Sequence, residues 1–286
     1  MKTMEQPPKQ TLGLKRNTID KYYTKPEIVR TCIYHMKQHI DISPCDIVIE
    51  PSAGNGAFIS AIKKLPAHDH AFYDIKPEHP VVQKQDYLAF SHEHLGDITD
   101  AERKIHVIGN PPFGRQSSLA IKFIKKSVEF CHSMSFILPK SFKKDSMKKH
   151  IPLDYHLLLE EDIPKNGFTV DGKDHDVPCV FQIWEKKTTQ REVPKKLVPH
   201  QFRFVKKHEH PDISFRRVGV NAGYISCDTD DKSEQSHYFI CFDGELTPAL
   251  YQQLCQLEYS GKGDTVGPRS ISKQELIRAF HTVMCK

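Results

Sequence analysis

Residues 46–58 read Asp46-Ile-Val-Ile-Glu50-Pro-Ser-Ala-Gly54-Asn-Gly56-Ala-Phe58. The apolar centre between two acids predicts a short strand over 46–50. A glycine turn follows over 51–56, and residues 57–65 predict a helix. Small residues at Ala53, Gly54 and Gly56 let the backbone approach a ligand closely. The helix N-terminus beyond them favours anionic groups. The turn is not a full dinucleotide fingerprint, because Ile59 stands where the third glycine belongs. It is not a P-loop either, since no Gly-Lys-Ser/Thr follows. A plain strand–helix turn of any α/β protein is the competing reading of these glycines.

The next segment, His70-Ala-Phe-Tyr-Asp74, predicts a second strand that also ends in an acid. Asp74 lies 20 residues after Gly54. At that spacing an acid can accept both hydroxyls of a ribose bound across the sheet edge. Asp86, in Gln85-Asp-Tyr-Leu88, closes the following unit and can bind an exocyclic amine. The set favours a nucleoside whose ribose is bound and whose charged tail carries no pyrophosphate. S-adenosylmethionine matches that description.

A further buried-type strand over 105–109 runs directly into Asn110-Pro-Pro-Phe113. The motif therefore sits at the carboxyl edge of the sheet, where ligands bind in open α/β folds. Pro111 and Pro112 fix the backbone and remove two donors. The Asn110 side-chain oxygen and the Pro111 carbonyl can then both face outward as acceptors. A planar amine is a poor nucleophile because its lone pair is delocalised. Two acceptors on its hydrogens favour the tetrahedral form and the positive charge that develops during attack. Phe113 offers a flat face for stacking, and Gly114 lets the chain leave the site.

Around this centre, Pro26 fits the first turn of a helix with Thr24 as its N-cap. Ile28, Cys32, Ile33, Met36 and Ile40 then follow helical spacing. Residues 119–131 predict a helix with Ile121, Ile124 and Val128 on one face, 134–138 a strand, and 177–185 a late strand. Strands alternating with helices predict a parallel, doubly wound sheet over about residues 20–187. Residues 1–17 predict a flexible arm, 18–187 the main domain, and 188–200 a charged linker. Residues 201–286 predict a carboxy-terminal α+β extension, with short alternating strands at Phe202/Phe204, Ile213/Phe215 and Tyr238/Ile240/Phe242. Helices are expected over 249–257 and 273–280, the second opened by a Ser272/Glu275 capping box.

These residues together resemble the class I S-adenosylmethionine-dependent amino-methyltransferases, in the adenine-N6 branch that acts on nucleic acids. Chains of this type include those of phages and large DNA viruses. The resemblance covers about residues 20–187 and implies an α/β fold: a Rossmann-like doubly wound methyltransferase sheet with the α+β extension appended. It implies S-adenosyl-L-methionine as cofactor, bound by Glu50, Ser52, Ala53, Gly54, Gly56 and Phe58 of the first motif. Asp74 with Ile75 is implied at the ribose, and Asp86 with Tyr87 at the cofactor's adenine. Tyr23 and Thr24, in Tyr22-Tyr-Thr-Lys-Pro26, are implied over the methionine end. Met134-Ser-Phe-Ile-Leu-Pro139 resembles a later strand motif. Asn110, Pro111, Pro112 and Phe113 are implied as the catalytic motif, and Phe168 as a second aromatic against the target base. Many DNA enzymes of this family carry Tyr where Phe113 stands; Phe keeps the stacking face. The cofactor motif precedes the catalytic one, the arrangement in which a carboxy-terminal region recognises the target.

Charge permits a nucleic-acid partner: 41 Lys+Arg stand against 36 Asp+Glu, a net of +5. Lys140, Lys143 and Lys144 open a basic stretch over 140–150, and Arg216 and Arg217 end a second one over 191–217 interleaved with Phe202, Phe204 and Phe215. Such mixtures suit phosphate contacts with stacking. A solvated surface with its aromatics turned inward is the competing reading. The eight Cys form no CxxC pair. The histidine pairs His68/His70, His92/His94 and His208/His210 lack a third ligand nearby in sequence. No metal is expected. No apolar run reaches the ~18–20 residues needed to cross a bilayer. The first residues lack a secretory core, so an intracellular protein, cytoplasmic or nuclear, is expected. Two other functions stay open at this stage, a glutamine-N5 protein methyltransferase and a non-catalytic subunit that keeps the methyltransferase fold. A protein partner is also left open.

Overall fold

The computed structural model describes residues 21–91 and 103–284. The expected arm over 1–17 and the pair His92/His94 lie outside them. In chain order the main unit has β1 (Tyr23–Thr24), α1 (Pro26–His39), β2 (Ile47–Glu50), α2 (Ile59–Ile62), β3 (Asp69–Asp74) and β4 (Gln83–Lys84). β5 (Ile105–Gly109), α3 (Ser118–Ser127), β6 (Ser133–Pro139) and α4 (Asp145–Lys148) follow. It closes with β7 (Tyr155–Asp162), β8 (Phe168–Val170), β9 (Lys173–His175) and β10 (Cys179–Lys186).

Seven of these strands form one sheet in the order β4-β3-β2-β5-β6-β10-β7. Only β10 runs against its neighbours, pairing antiparallel with both β6 and β7. Every residue of β2, β5 and β6 is buried. That is why these strands read as unbroken apolar runs: helices and loops cover both faces. From β2 the chain winds outward to β3 and β4, and from β5 it winds the other way. The strand order thus reverses between β2 and β5, and the crevice outside their carboxyl ends is where a doubly wound sheet binds ligands. Glu50 ends one strand and Gly109 the other.

The doubly wound α/β class is the one expected, and the elements differ in instructive places. α1 starts at Pro26 and buries Ile28, Val29, Cys32, Ile33 and Met36. Its N-cap is Lys25, which makes no side-chain cap bond. Thr24 is not the cap: it belongs to β1, which pairs with β8 in a separate three-stranded sheet, β1-β8-β9. Within that sheet Asp171 and Gly172, both at positive φ, close the β8–β9 hairpin. α2 is a single turn and shorter than expected, although Lys63 and Leu65 continue its hydrogen bonding from Ile59 and Ile62.

A polar staple ties the amino ends of three parallel strands at the edge opposite the crevice. His106 of β5 lies 3.1 Å from Asp46 through Nε2 and 2.7 Å from the Ser133 hydroxyl through Nδ1. All three side chains are buried. Asp46 also accepts from the Ser43 and Lys104 amides at 2.8 and 2.9 Å. Burial pushes His106 below its ordinary value, against the pull of Asp46. Burial also opposes ionisation of Asp46, but the two amides and His106 outweigh it and hold the carboxyl below its usual range. Both shifts destabilise the fold in acid. The unfolded chain takes up a proton on its freed imidazole as pH falls through about 6.5. Asp46 adds its loss as pH falls through its lowered folded value. Melting temperature is expected to fall between pH 7.5 and 5, each extra proton bound by the unfolded chain giving a slope of about 1.4 kcal/mol per pH unit. Calorimetry across that range should show a shallower slope for His106→Gln.

The second unit is a four-stranded antiparallel sheet in the order β11-β14-β12-β13. Its strands are β11 (Phe202–Val205), β12 (Ile213–Arg216), β13 (Ile225–Ser226) and β14 (His237–Phe242), followed by α5 (Pro248–Cys255) and α6 (Lys273–Met284). α6 lays Leu276, Ile277 and Phe280 on the sheet in a cluster with Phe202, Phe215 and Ile240. The expected capping box is present: Ser272 Oγ accepts from the Glu275 amide at 3.2 Å, and Glu275 from the Ser272 amide at 2.7 Å. A separate cluster running from Ile28 to Trp184 forms the core of the main unit. Between the units, Arg191 donates to the carbonyls of Lys148, Ile151 and Tyr155, and its guanidinium lies 5.5 Å from the Trp184 ring.

Candidate active site

The crevice between β2 and β5 holds a cavity of about 350 Å³. Its floor is the turn after β2. Gly54 adopts φ +49°, a left-handed geometry that suits glycine, and its amide donates to Asp74 Oδ2 at 2.8 Å. Asp74 Oδ1 accepts from the Lys76 amide at 2.7 Å. The carboxylate is therefore fixed at the end of β3, on the cavity wall. Asp86 accepts from the Leu88 amide at 2.9 Å and also faces the cavity. Ile75, two-thirds exposed, lines it with Leu88, Leu119 and Phe123. These four give the cavity an apolar stretch beside the acids.

Glu50 has an unusual environment. It is buried, and its Oε2 has no hydrogen-bond partner among the described residues. Burial, with the nearby charge of Asp74, pushes its carboxyl up to about 8. A cation arriving in the cavity would favour its ionised form. The strand β5 passes close beside it: a Cβ on Gly109 would stand 3.3 Å from Glu50 Cγ.

Asn110 follows Gly109 at the other lip of the crevice. The Ser52 hydroxyl donates to its backbone carbonyl at 3.1 Å. Its side-chain Nδ2 donates to the Tyr22 carbonyl at 3.3 Å and to Thr24 Oγ1 at 3.2 Å. Its Oδ1 is buried without a partner among the described residues, although the residue lines the cavity. A buried acceptor left open costs about 1–3 kcal/mol, so such a group points to something that completes it. Pro112 lines the cavity as well. Beyond the motif, Gly114 takes φ +67°, and a Cβ there would meet the Leu119 amide at 2.9 Å. Gln116 and Ser117 follow at φ +53° and +63°, left-handed values that cost energy for residues with side chains.

Of the residues singled out in the sequence, Tyr23, Thr24, Glu50, Ser52, Ala53, Gly54, Phe58, Asp74, Ile75, Asp86, Tyr87, Asn110 and Pro112 line this one cavity. Others do not. Gly56 faces Ile59 and His79 and serves the turn itself. Phe113 is buried against Tyr22, with ring centres 6.3 Å apart, and its carbonyl accepts from the Leu119 and Ala120 amides at the start of α3. Phe168 is buried beside Tyr22 in the small sheet, away from the cavity lining. Tyr87 touches the cavity, but its ring stacks on Phe123 and its hydroxyl meets Ser127 Oγ at 2.9 Å. Sequence reasoning missed Leu119, Phe123, Tyr22 and Glu78. Leu119 and Phe123 are four apart on α3, a helical spacing that was legible. Glu78, which accepts from the Tyr23 hydroxyl at 2.6 Å and pairs with Lys21, gave no signal.

The structure gives the lysine stretch partners within the chain. Lys140 and Lys143 both pair with Asp162, at 2.8 and 2.9 Å, and Lys148 pairs with Glu160 at 2.8 Å. Both acids belong to β7, a strand the sequence did not reveal. Lys144 reaches the other unit instead, donating to the Ser270 carbonyl at 2.8 Å and pairing with Glu275 at 3.3 Å. These cations are thus paired with acids of the chain itself. Arg216 donates to the Val218 carbonyl at 2.9 Å, and Arg217 lies 5.2 Å from the Tyr238 ring. Lys144→Ala is expected to lower stability by about 1–2 kcal/mol by removing a largely buried charged hydrogen bond, and urea unfolding should show it.

No family model matches this sequence, and no curated protein matches it. Solved structures do match. A candidate RNA methyltransferase from Pyrococcus horikoshii is 16% identical over 62% of this chain and 93% of its own, with a TM-score of 0.43. A modification subunit of a candidate type I restriction enzyme from Vibrio vulnificus is 15% identical over 58% and 44%, with a TM-score of 0.43. TrmN from Thermus thermophilus is 13% identical over 56% and 48%, with a TM-score of 0.37. The matches span less than half the length of the last two. Likeness at this level does not carry chemistry across, which has to be read from the residues. Among the described residues no group of three or more His, Cys, Asp or Glu could hold a metal ion, and no helix is long and apolar enough to cross a membrane.

Proposed function

We propose that this protein transfers a methyl group from S-adenosylmethionine to an exocyclic amine of a nucleic-acid base, N6 of adenine, with DNA as the first substrate to try. One observation carries the reading: Asn110 Oδ1, buried and unpartnered, in a residue on the wall of a cavity that also holds Asp74, Asp86 and Glu50. An amide oxygen in that position accepts a hydrogen from a planar amine. The resemblance implies the Pro111 carbonyl as second acceptor; together the two would draw the nitrogen toward a tetrahedral shape as positive charge develops.

The residues present fit the cofactor. Asp74 would take the ribose hydroxyls, Asp86 the exocyclic amine of its adenine, and Glu50 its ammonium group. Ile75, Leu119 and Phe123 would cover its flat ring. When bound, S-adenosylmethionine supplies a methyl group on a sulfonium, an electrophile strong enough for one direct displacement. The protein then has to position the amine, accept its hydrogens and exclude water. Beside Asn110, Tyr22 stacks on His175 with ring centres 5.3 Å apart and neighbours Phe113. This aromatic group suits a base taken out of its stack.

Labelled S-adenosylmethionine offered with matched DNA, RNA and protein pools tests the proposal. Label in a nucleic acid supports it and chooses the polymer. Label in protein glutamine replaces it with the amide-methylating alternative. Absence of any cofactor binding overturns it.

A further inference from the structure

An amide side chain has two ends of nearly the same shape, one an acceptor and one a donor. The site works as an amine acceptor only if Asn110 presents oxygen. Something must choose between the two orientations. Tyr22 contributes a backbone carbonyl, which can only accept, and Nδ2 lies 3.3 Å from it. Thr24 Oγ1 stands 3.2 Å from the same nitrogen. Flipping the amide would set two oxygens against each other at Tyr22 and aim two N–H donors at the amine's hydrogens.

We propose that Thr24 is a positioning residue: the Tyr22 carbonyl, which can only accept, sets the sense of the Asn110 amide, and the Thr24 hydroxyl as second acceptor holds Nδ2 in place so that Oδ1 is left for the substrate amine. The inference rests on the methyl-transfer reading. Both groups reach the site because β1 is held in register by the β8–β9 hairpin. Tyr23 is paired with Thr169 and Thr24 with Phe168, and the Lys25 amide donates to the Gly167 carbonyl at 3.1 Å. The Ser52 hydroxyl meanwhile donates to the Asn110 backbone carbonyl. The sequence resemblance put Thr24 over the methionine end of the cofactor. The structure places Thr24 on the cavity wall and gives its hydroxyl a partner in Asn110, 86 residues away.

The test uses the full chain labelled with [15N]asparagine. Wild type should show an Asn110 side-chain NH₂ that exchanges slowly with solvent, as both hydrogen bonds require. In Thr24→Val, which keeps the shape and β-branching, that protection should be lost. The turnover number should fall about 10-fold, the worth of one lost hydrogen bond in the reacting state. Cofactor affinity should stay within about twofold, and Thr24→Ser should restore both signals. Thr24→Ala serves if the valine variant does not fold. An Asn110 amide that exchanges freely in wild type overturns the inference. So does a Thr24→Val protein with normal turnover, or one whose whole loss lies in cofactor affinity. If wild type binds the cofactor yet methylates no amine, the function proposal fails by itself, and the amide exchange still decides the role of Thr24.

Discussion

Asn110→Ala is expected to lower methyl transfer by about 10²–10³-fold, the range for removing one preorganised group that stabilises developing charge. Cofactor affinity should hardly change, because the proposed function reserves Asn110 for the acceptor. The fold should also survive: the residue gives up two hydrogen bonds through Nδ2, but it also gives up an unsatisfied buried oxygen. The split between lost turnover and retained binding, read by single-turnover kinetics beside calorimetric titration, separates a catalytic role from a structural one. Asn110→Asp is the sharper variant. Its carboxylate could accept from the Thr24 hydroxyl but would face the Tyr22 carbonyl with no hydrogen to give, so it should also lose activity despite being nearly the same shape.

Asp74→Ala is expected to weaken cofactor binding by about 10–100-fold, the worth of one or two hydrogen bonds to a charged acceptor. Turnover at saturating cofactor should be far less affected. The variant should also melt earlier, since the Gly54 and Lys76 amides lose their acceptor. Removing Asp74 also takes away a charge that holds the Glu50 carboxyl up. Calorimetric titration against a melting curve separates these effects, and Asp74→Asn should recover much of the stability because its oxygen can still serve Gly54.

Particular residues show what could be read before the structure. β2, β5 and β6 were legible because both their faces are buried, which leaves an apolar run no other element explains. Asp74 and Asp86 were legible because position along the chain sets position along the sheet edge in a doubly wound fold. β7 was not. Its sequence, Tyr155-His-Leu-Leu-Leu-Glu-Glu-Asp162, is an edge strand with most residues half-buried and an acidic end, so neither alternation nor a full apolar run marks it. Missing β7 led directly to reading Lys140 and Lys143 as open cations, since their partner Asp162 lies on it. The β8–β9 hairpin did carry a signal, the Asp171-Gly172 pair, and it was overlooked. Thr24 shows a different limit. A threonine just ahead of Pro26 is a sound helix cap on local grounds, but Lys25 takes that place, while pairing with Phe168 and contact with Asn110 hold Thr24 in β1.

The measurement that tests the account most directly is the identity of the methylated atom. Substrate exposed to the wild-type protein and labelled S-adenosylmethionine is digested to nucleosides and amino acids, and the labelled product is identified by mass spectrometry. The account predicts N6-methyladenine, absent when Asn110→Ala replaces the wild type. A methyl group on carbon, on a ring nitrogen or on a hydroxyl would contradict it, because none of those needs the buried, unpaired amide oxygen of Asn110.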